Sequence, residues 1–333
     1  MSPKPPRPST PARHRFWRPL FYQGLAIAAV LALLAFLVAN TAANMARQGI
    51  PGGFDFLLQP AGFNIGEGGF PFVAGDPYWQ AFAAGLANTL RVALLAILLT
   101  TLLGTALGVG SQSRNFLLRS LCTAYVELFR NVPLLLQLLA WYIFLVETLP
   151  PLEQAWQLGA LFVSKGGLSF PFPAWHDGAW QMEWPARGAF AIGGGASLTP
   201  EFLAVLFGLT FYSAAYLAET VRGGIEAVAR GQAEAAAALG LNRRQTLRRV
   251  ILPQALRVII PSATNQYLSL IKNSSLAISV GYPDLVSIAN TSLNQTGRAV
   301  ECIALIMAVY LGLSLVAAAL LGWLNRRAAL RER

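Results

Sequence analysis

Three stretches, 21–40, 86–110 and 299–324, stay almost wholly apolar over the roughly 20 residues that the hydrocarbon core of a bilayer demands. In hydrocarbon no water is available to satisfy backbone N–H and C=O groups, so each stretch must close its hydrogen bonds within itself, as a helix does. Three further stretches, 121–146, 198–221 and 256–280, are long enough to cross but carry more polar groups, the last of them most. The expected fold is an all-α polytopic membrane protein with about six transmembrane helices.

Composition agrees. Of 333 residues, 55% are hydrophobic and 12% charged, which excludes an ordinary soluble domain. A net charge of +10 would point to nucleic acid in a soluble protein, but its distribution points elsewhere. Lys4, Arg7, Arg13, Arg15 and Arg18 precede the first stretch, and Arg114 and Arg119 separate the second from the third. Seven arginines fall from Arg222 to Arg257, and four from Arg326 to Arg333. Eighteen of the 25 basic residues thus lie on alternate connections, which by the positive-inside rule places both termini and the 222–257 loop in the cytoplasm. Such arginines suit membrane lipid head groups or a partner's carboxylates, and no nucleic-acid partner is expected.

The same alternation divides the chain. Residues 1–20 form a basic cytoplasmic tail, 21–40 an N-terminal transmembrane helix, 41–85 a periplasmic segment, 86–325 the main transmembrane domain and 326–333 a cytoplasmic tail. The small residues Ala39 to Ala43 after the first helix resemble a cleavage site, but its length and long basic leader favour an uncleaved anchor. Phe70, Phe72, Tyr78 and Trp79 suit the membrane interface. The outer loop 148–197 holds Trp156, Trp175, Trp180 and Trp184, half of the eight tryptophans. That enrichment suits a loop lying against the membrane surface, with a docking surface for a binding protein as the functional alternative. Cys122 and Cys302 fall inside apolar stretches and read as packing residues, while His14 and His176 are too isolated for a metal site. Gly104 and Gly108 permit close helix approach and read as intrachain packing.

The most specific pattern lies in the 222–257 loop. Gly231-Gln232-Ala233-Glu234-Ala235-Ala236 is followed by Gly240, six positions after the glutamate, and by Leu252-Pro253, twelve beyond that glycine. Alanines give a strong helix with little bulk, which a partner surface can approach closely. Gly240 falls where a left-handed cap would end that helix, and Asn242 with Gln245 reads as a capping box opening a second one. Pro253 and Pro261 restrict how the second helix enters the bilayer.

This spacing resembles the Glu-Ala-Ala coupling loop of ABC importer permeases. Gly85 to Leu90, Tyr125 to Leu135, and Ser213 to Glu219 followed by Arg222-Gly223-Gly224 resemble the polar amino-acid branch, the histidine, glutamine and arginine permeases. Lys272-Asn273-Ser274-Ser275-Leu276 is similar to the family's Lys-Asp-Thr-Ser-Leu, with Asn and Ser replacing Asp and Thr. Over residues 80–325 the chain is most similar to the larger permease subunit of general L-amino-acid importers. The resemblance implies a five-helix type I core with one helix in front, in a bacterial inner membrane. It implies ATPase coupling through Gly231, Gln232, Glu234, Ala235, Ala236, Gly240, Leu252 and Pro253. It also implies a second homologous permease, a pair of ATPase subunits carrying ATP and Mg, and a periplasmic amino-acid-binding protein, with no cofactor on this chain itself.

Charged groups inside spans are costly enough to imply pairing or function. Glu127 with Arg130 and Glu219 with Arg222 are each three apart, so each pair would neutralise itself at a helix end. Ser262, Asn265, Ser269 and Lys272 recur at helical spacing and form one polar stripe, with Gln266, Asn273, Ser274 and Ser275 beside it. Such a stripe suits either the lining of a path for a zwitterion or hydrogen bonding between helices. The chain contains no Gly-Lys-Ser or Gly-Lys-Thr, so an ATP-driven mechanism needs another subunit. The alternative is an ion-coupled secondary transporter of amino acids using Glu127, Glu219 or Glu301.

Overall fold

The apolar run at 86–110 extends outward into a single helix, α2 (Tyr78–Gly110), which pairs along its length with α5 (Pro200–Glu226). The computed structural model describes residues 17–49, 52–68, 71–176, 179–188 and 192–328. The outermost parts of the two expected tails, 1–16 and 329–333, lie outside the described residues. Preceding the bundle is α1 (Trp17–Gln48), a unit of its own whose apolar side chains, such as Leu25, Leu31 and Phe36, are exposed. It runs on through Asn40 to Ala43, so it is longer than the 21–40 expectation.

The α2–α5 pairing depends on the two glycines singled out in the sequence. A Cβ on Gly108 would lie 2.6 Å from Val221 Cβ and 2.7 Å from the Ala218 carbonyl oxygen, and one on Gly104 2.8 Å from Leu217 Cβ. They are intrachain packing residues, as read. Val92, Ala96, Phe202 and Leu209 continue that contact into the central core.

The stretch 121–146, expected as one span, is two helices, α3 (Phe116–Asn131) and α4 (Leu134–Thr148), bent by 104°. Pro133 has no N–H to donate and pushes Val132 out of the helical region, to φ −98° and ψ 127°. The Gln137 side chain closes the gap: its Nε2 donates to the carbonyls of Phe129 at 2.8 Å and Val132 at 2.9 Å. The loop at 148–197 departs from the helical pattern. β1 (Trp156–Leu158), β2 (Leu161–Ser164), β3 (Gly167–Phe170) and β8 (Ala196–Leu198) form one antiparallel sheet in that order. Between β3 and β8, β4 (Phe172–His176) pairs with β5 (Ala179–Glu183), and β6 (Ala186–Arg187) with β7 (Ile192–Gly193). Trp175 faces Trp180 across the hairpin, and all four loop tryptophans are exposed. Of the other aromatics expected at the interface, Trp79 is exposed, but Tyr78 is buried against Phe56; Phe70 lies outside the described residues.

After α5 come α6 (Arg230–Ala238), α7 (Arg243–Thr246) and α8 (Leu252–Asn273). The expected span 256–280 ends early: α8 gives way to a 3₁₀ turn at Ser274–Val280, and Gly281 at φ +80° reverses the chain. Asp284 then caps α9 (Leu285–Thr296), an element the sequence reading did not anticipate, and α10 (Ala299–Ala328) closes the chain. Four described helices are long and apolar enough to cross a membrane, five if the bent α3–α4 pair is one span. The polar stripe keeps α8 from that count.

Candidate functional site

The segment expected to couple to an ATPase forms from local backbone chemistry. Helix α6 ends in a Schellman motif, with Leu241 N–H donating to Ala236 O at 3.1 Å and Gly240 N–H to Ala237 O at 2.9 Å. Gly240 takes φ +75°, which a residue with a Cβ rarely tolerates. Asn242 and Gln245 then form the full capping box, each side chain accepting from the other's backbone N–H at 2.9–3.0 Å. A π-helical turn, Leu247–Ile251, joins α7 to α8, and Pro253 sits in the first turn of α8, where its missing N–H costs least. Gln254 Nε2 donates to Gln232 Oε1 at 3.3 Å, tying α6 to the start of α8.

Gly231, Gln232, Glu234, Ala235 and Gly240 are exposed, while Leu252 and Pro253 are half-buried. Ala236, read as a docking residue, is only 3% exposed: it faces the chain's own side and lets α6 lie close to the turn beneath it. The exposed face of α6 is therefore narrower than the sequence motif.

Ser262, Asn265, Ser269 and Lys272 are all exposed on one side of α8, and Ala255, Ile259, Ala263 and Leu270 are buried on the other. The stripe is real as geometry. Gln266, Asn273 and Ser275 are half-buried beside it. Ser274 departs from the expected set, because it is fully buried and its hydroxyl donates to Ile271 O at 2.7 Å.

At the C-terminal end of α5, the end expected to face the cytoplasm, Arg222 Nε donates to Glu219 Oε2 at 3.0 Å and Nη1 to Glu226 at 2.8 Å. The expected Glu219–Arg222 pair forms. The expected Glu127–Arg130 pair does not: Arg130 turns from α3 to α5, 4.0 Å from Glu219 and 5.2 Å over the Tyr216 ring, while Glu127 is exposed. Pairing across helices wins because α5 offers Arg130 the Glu219 carboxylate and the Tyr216 aromatic face together. These charges line a cavity of about 520 Å³ with Arg119 at its edge.

The opposite end of the helix pair, where α2 and α5 both begin and which is expected to face outward, holds a site that sequence reasoning missed. Glu67, on the connection before α2, is buried to 7% of its side chain. It accepts from the Thr199 hydroxyl and lies 3.5 Å from the Arg91 guanidinium, which also covers the Phe202 ring at 4.7 Å. Burial pushes its carboxyl above the ordinary range, against the lowering effects of Thr199 and Arg91. Asn88 Nδ2 donates to Glu67 O at 3.0 Å and Pro283 O at 2.9 Å, and the Tyr282 hydroxyl donates to Asn88 O at 3.1 Å. Thr89 Oγ1 accepts from Leu285 N–H at 3.1 Å. The signal was Arg91 itself: a guanidinium in an apolar run demands an acid, and Asp55, Glu67 and Asp76 are the acids of the preceding segment.

Residues 100–330 match the family model described as binding-protein-dependent transport system inner membrane component. The chain is 37% identical to the general L-amino acid transport system permease protein AapQ of Rhizobium johnstonii, over 95% of this chain and 94% of that one. It is 33% identical to the glutamate/glutamine/aspartate/asparagine transport system permease protein BztB of Rhodobacter capsulatus, over 95% of each. Among solved structures, an amino acid ABC transporter crystallised with histidines aligns with a TM-score of 0.56 at 28% identity, covering 75% of this chain and 95% of that one.

Proposed function

Because the chain belongs to the family of binding-protein-dependent transport system inner membrane components, we propose that α6 is the socket through which a separate ATPase moves this permease. The protein is the membrane-spanning subunit of an ATP-driven amino-acid importer, and ATP hydrolysis belongs to other subunits. In this reading the partners are an ATPase pair carrying ATP and Mg, a second homologous permease and a periplasmic amino-acid-binding protein, assembled in a bacterial inner membrane.

The observation that carries the reading is mechanical continuity. Helix α6 presents Gln232, Glu234 and Ala235 outward, is held at its end by the Gly240 motif, and is bonded through Gln232 to Gln254. Displacement of α6 therefore passes into α8, whose 22 residues span about 33 Å. The exposed stripe of Ser262, Asn265, Ser269 and Lys272 rides on that helix. Closure of the ATPase pair would draw two such sockets together and rock the permease halves around a site between them, as alternating access requires. Ser262, Asn265, Ser269 and Lys272, with Gln266, Asn273 and Ser275, are the side chains proposed to line that path.

The test is co-purification and uptake with a candidate ATPase, a second permease and a binding protein supplied together with this chain. Proline fixes φ near −65° and cannot take the Gly240 conformation, so Gly240→Pro should lose the ATPase while still inserting in the membrane. A variant that retains the ATPase in normal yield would refute the socket. Uptake by this chain alone under a proton or sodium gradient would replace the reading with ion-coupled transport.

A further inference from the structure

Behind α6 lies a cleft of about 870 Å³ that the transport cycle above does not use. It opens between the α2–α3 connection, the last turn of α5, the inner side of α6 and the turn from α7 into α8. Leu118, Ile225, Leu241, Leu247 and Ile251 give it an apolar wall, and its volume falls within the range of small-molecule sites.

Arg114, Arg243 and Arg244 stand on the same cleft. Arg243 donates to Gln112 O at 2.8 Å, which fixes one guanidinium to the α2–α3 connection. Among the described residues neither Arg114 nor Arg244 reaches a carboxylate, and the neighbouring Glu226 is held by Arg222 and Gln112. An apolar wall under uncompensated cations is the complement of an amphiphile with an anionic head. The adjoining start of α3 exposes Phe116, Leu117 and Leu121, with Arg119 among them, the pattern of a helix lying at a membrane interface.

We propose that this cleft holds an anionic phospholipid of the cytoplasmic leaflet. One of its two acyl chains lies along Leu118, Leu247 and Ile251, and its phosphate sits between Arg114 and Arg244. A free phosphate would leave the apolar wall against water, and a neutral lipid would leave the two guanidinium groups uncompensated. The lipid joins the α2–α3 connection to the coupling segment, so that α3 follows when α6 moves. The inference rests on the proposed function, which needs the 222–257 loop in the cytoplasm, where the distribution of basic residues puts it.

Photolabelling of the full chain in nanodiscs tests it. The probe is phosphatidylglycerol carrying a diazirine on its acyl chain, and labelled peptides are identified by mass spectrometry. Label should concentrate on residues 114–118 and 241–251 and be displaced by unlabelled phosphatidylglycerol, but not by phosphatidylcholine or inorganic phosphate. With each basic residue near the head group contributing about one kcal/mol, R114Q/R244Q should weaken labelling by roughly tenfold or more. R248Q/R249Q, which removes exposed arginines outside the cleft, should leave labelling unchanged. Equal labelling by a phosphatidylcholine probe, displacement by phosphate alone, insensitivity to R114Q/R244Q, or absence of label from both segments would each overturn the proposal. The assay needs neither ATPase nor ATP, so its result is separable from that of the uptake test. Labelling of a Leu239→Cys variant by a membrane-impermeant maleimide from the outside would instead refute the orientation on which both stand.

Discussion

The two ends of the α2–α5 pair are built on opposite principles. The outer end, where both helices begin, is largely buried: Glu67 meets Thr199 and Arg91, Asn88 bonds Glu67, Pro283 and Tyr282, and Thr89 bonds Leu285, each through specific contacts. The inner end is a ladder of arginines and carboxylates open to solvent, with Arg130, Glu219 and Arg222 each more than a third exposed in their side chains or nearly so. A buried polar group that loses its partner keeps its full desolvation cost, whereas an exposed charge exchanges its partner for water at little cost. The outer end is therefore a fixed joint and the inner end a sliding one. The proposed coupling helix, α6, follows the sliding end, where an applied displacement meets the least resistance.

The contrast breaks first at Asn88. Asn88→Leu keeps the volume but orphans the carbonyls of Glu67 and Pro283, at about 1–3 kcal/mol each. Thermal unfolding in detergent should show the largest fall of any single polar variant in the bundle. A change no greater than that of an inner-end charge variant would refute the fixed joint. Next comes Gly108→Val, which drives a side chain into Val221 and the Ala218 carbonyl and should cost about 1–3 kcal/mol by overpacking. Because this tests close approach and not polarity, it bounds how much of the joint is steric.

Glu67 sharpens the comparison through pH. Its carboxyl is raised in the folded state, so the fold favours the protonated form. That contribution is fully present below the ordinary carboxyl pKa and is lost as pH rises through the raised folded value. The wild-type chain should therefore lose stability on going from acidic to neutral pH by more than Glu67→Gln does, measured as melting temperature against pH in one detergent. Parallel profiles would remove Glu67 from the joint.

What was legible in the sequence follows the range of the physics involved. The Gly240 cap, the Asn242–Gln245 box and the Gly104–Gly108 contact depend on neighbours within a few residues or on one helix face, and each appears in the structure as read. The α3–α4 bend was passed over because hydropathy averages across Pro133 and registers nothing of its missing N–H or of the restriction on Val132. Helix α9 had its punctuation in view, Asp284 before it and Gly297 after it, but it is too polar to register as a span. The strands at 156–198 were hidden by reading a tryptophan-rich segment through composition. The outer joint was the least accessible, since Glu67 and Thr199 are 132 positions apart and only the fold brings them together.

The smallest expected effect is the most discriminating for the inner end. Arg222 ties Glu219 to Glu226 along α5, within a single exposed face. Exposed pairs of this kind contribute about 0–1 kcal/mol, so Arg222→Gln should barely move the unfolding temperature. Arg130 remains close to Glu219 in that variant, and the cavity keeps its walls. If the ladder serves movement and not folding, the variant should instead alter the ATP-dependent uptake rate while assembly with the ATPase stays normal. A loss of several degrees in melting temperature would show that the inner end is as structural as the outer one, and the division between a fixed and a sliding joint would fail there.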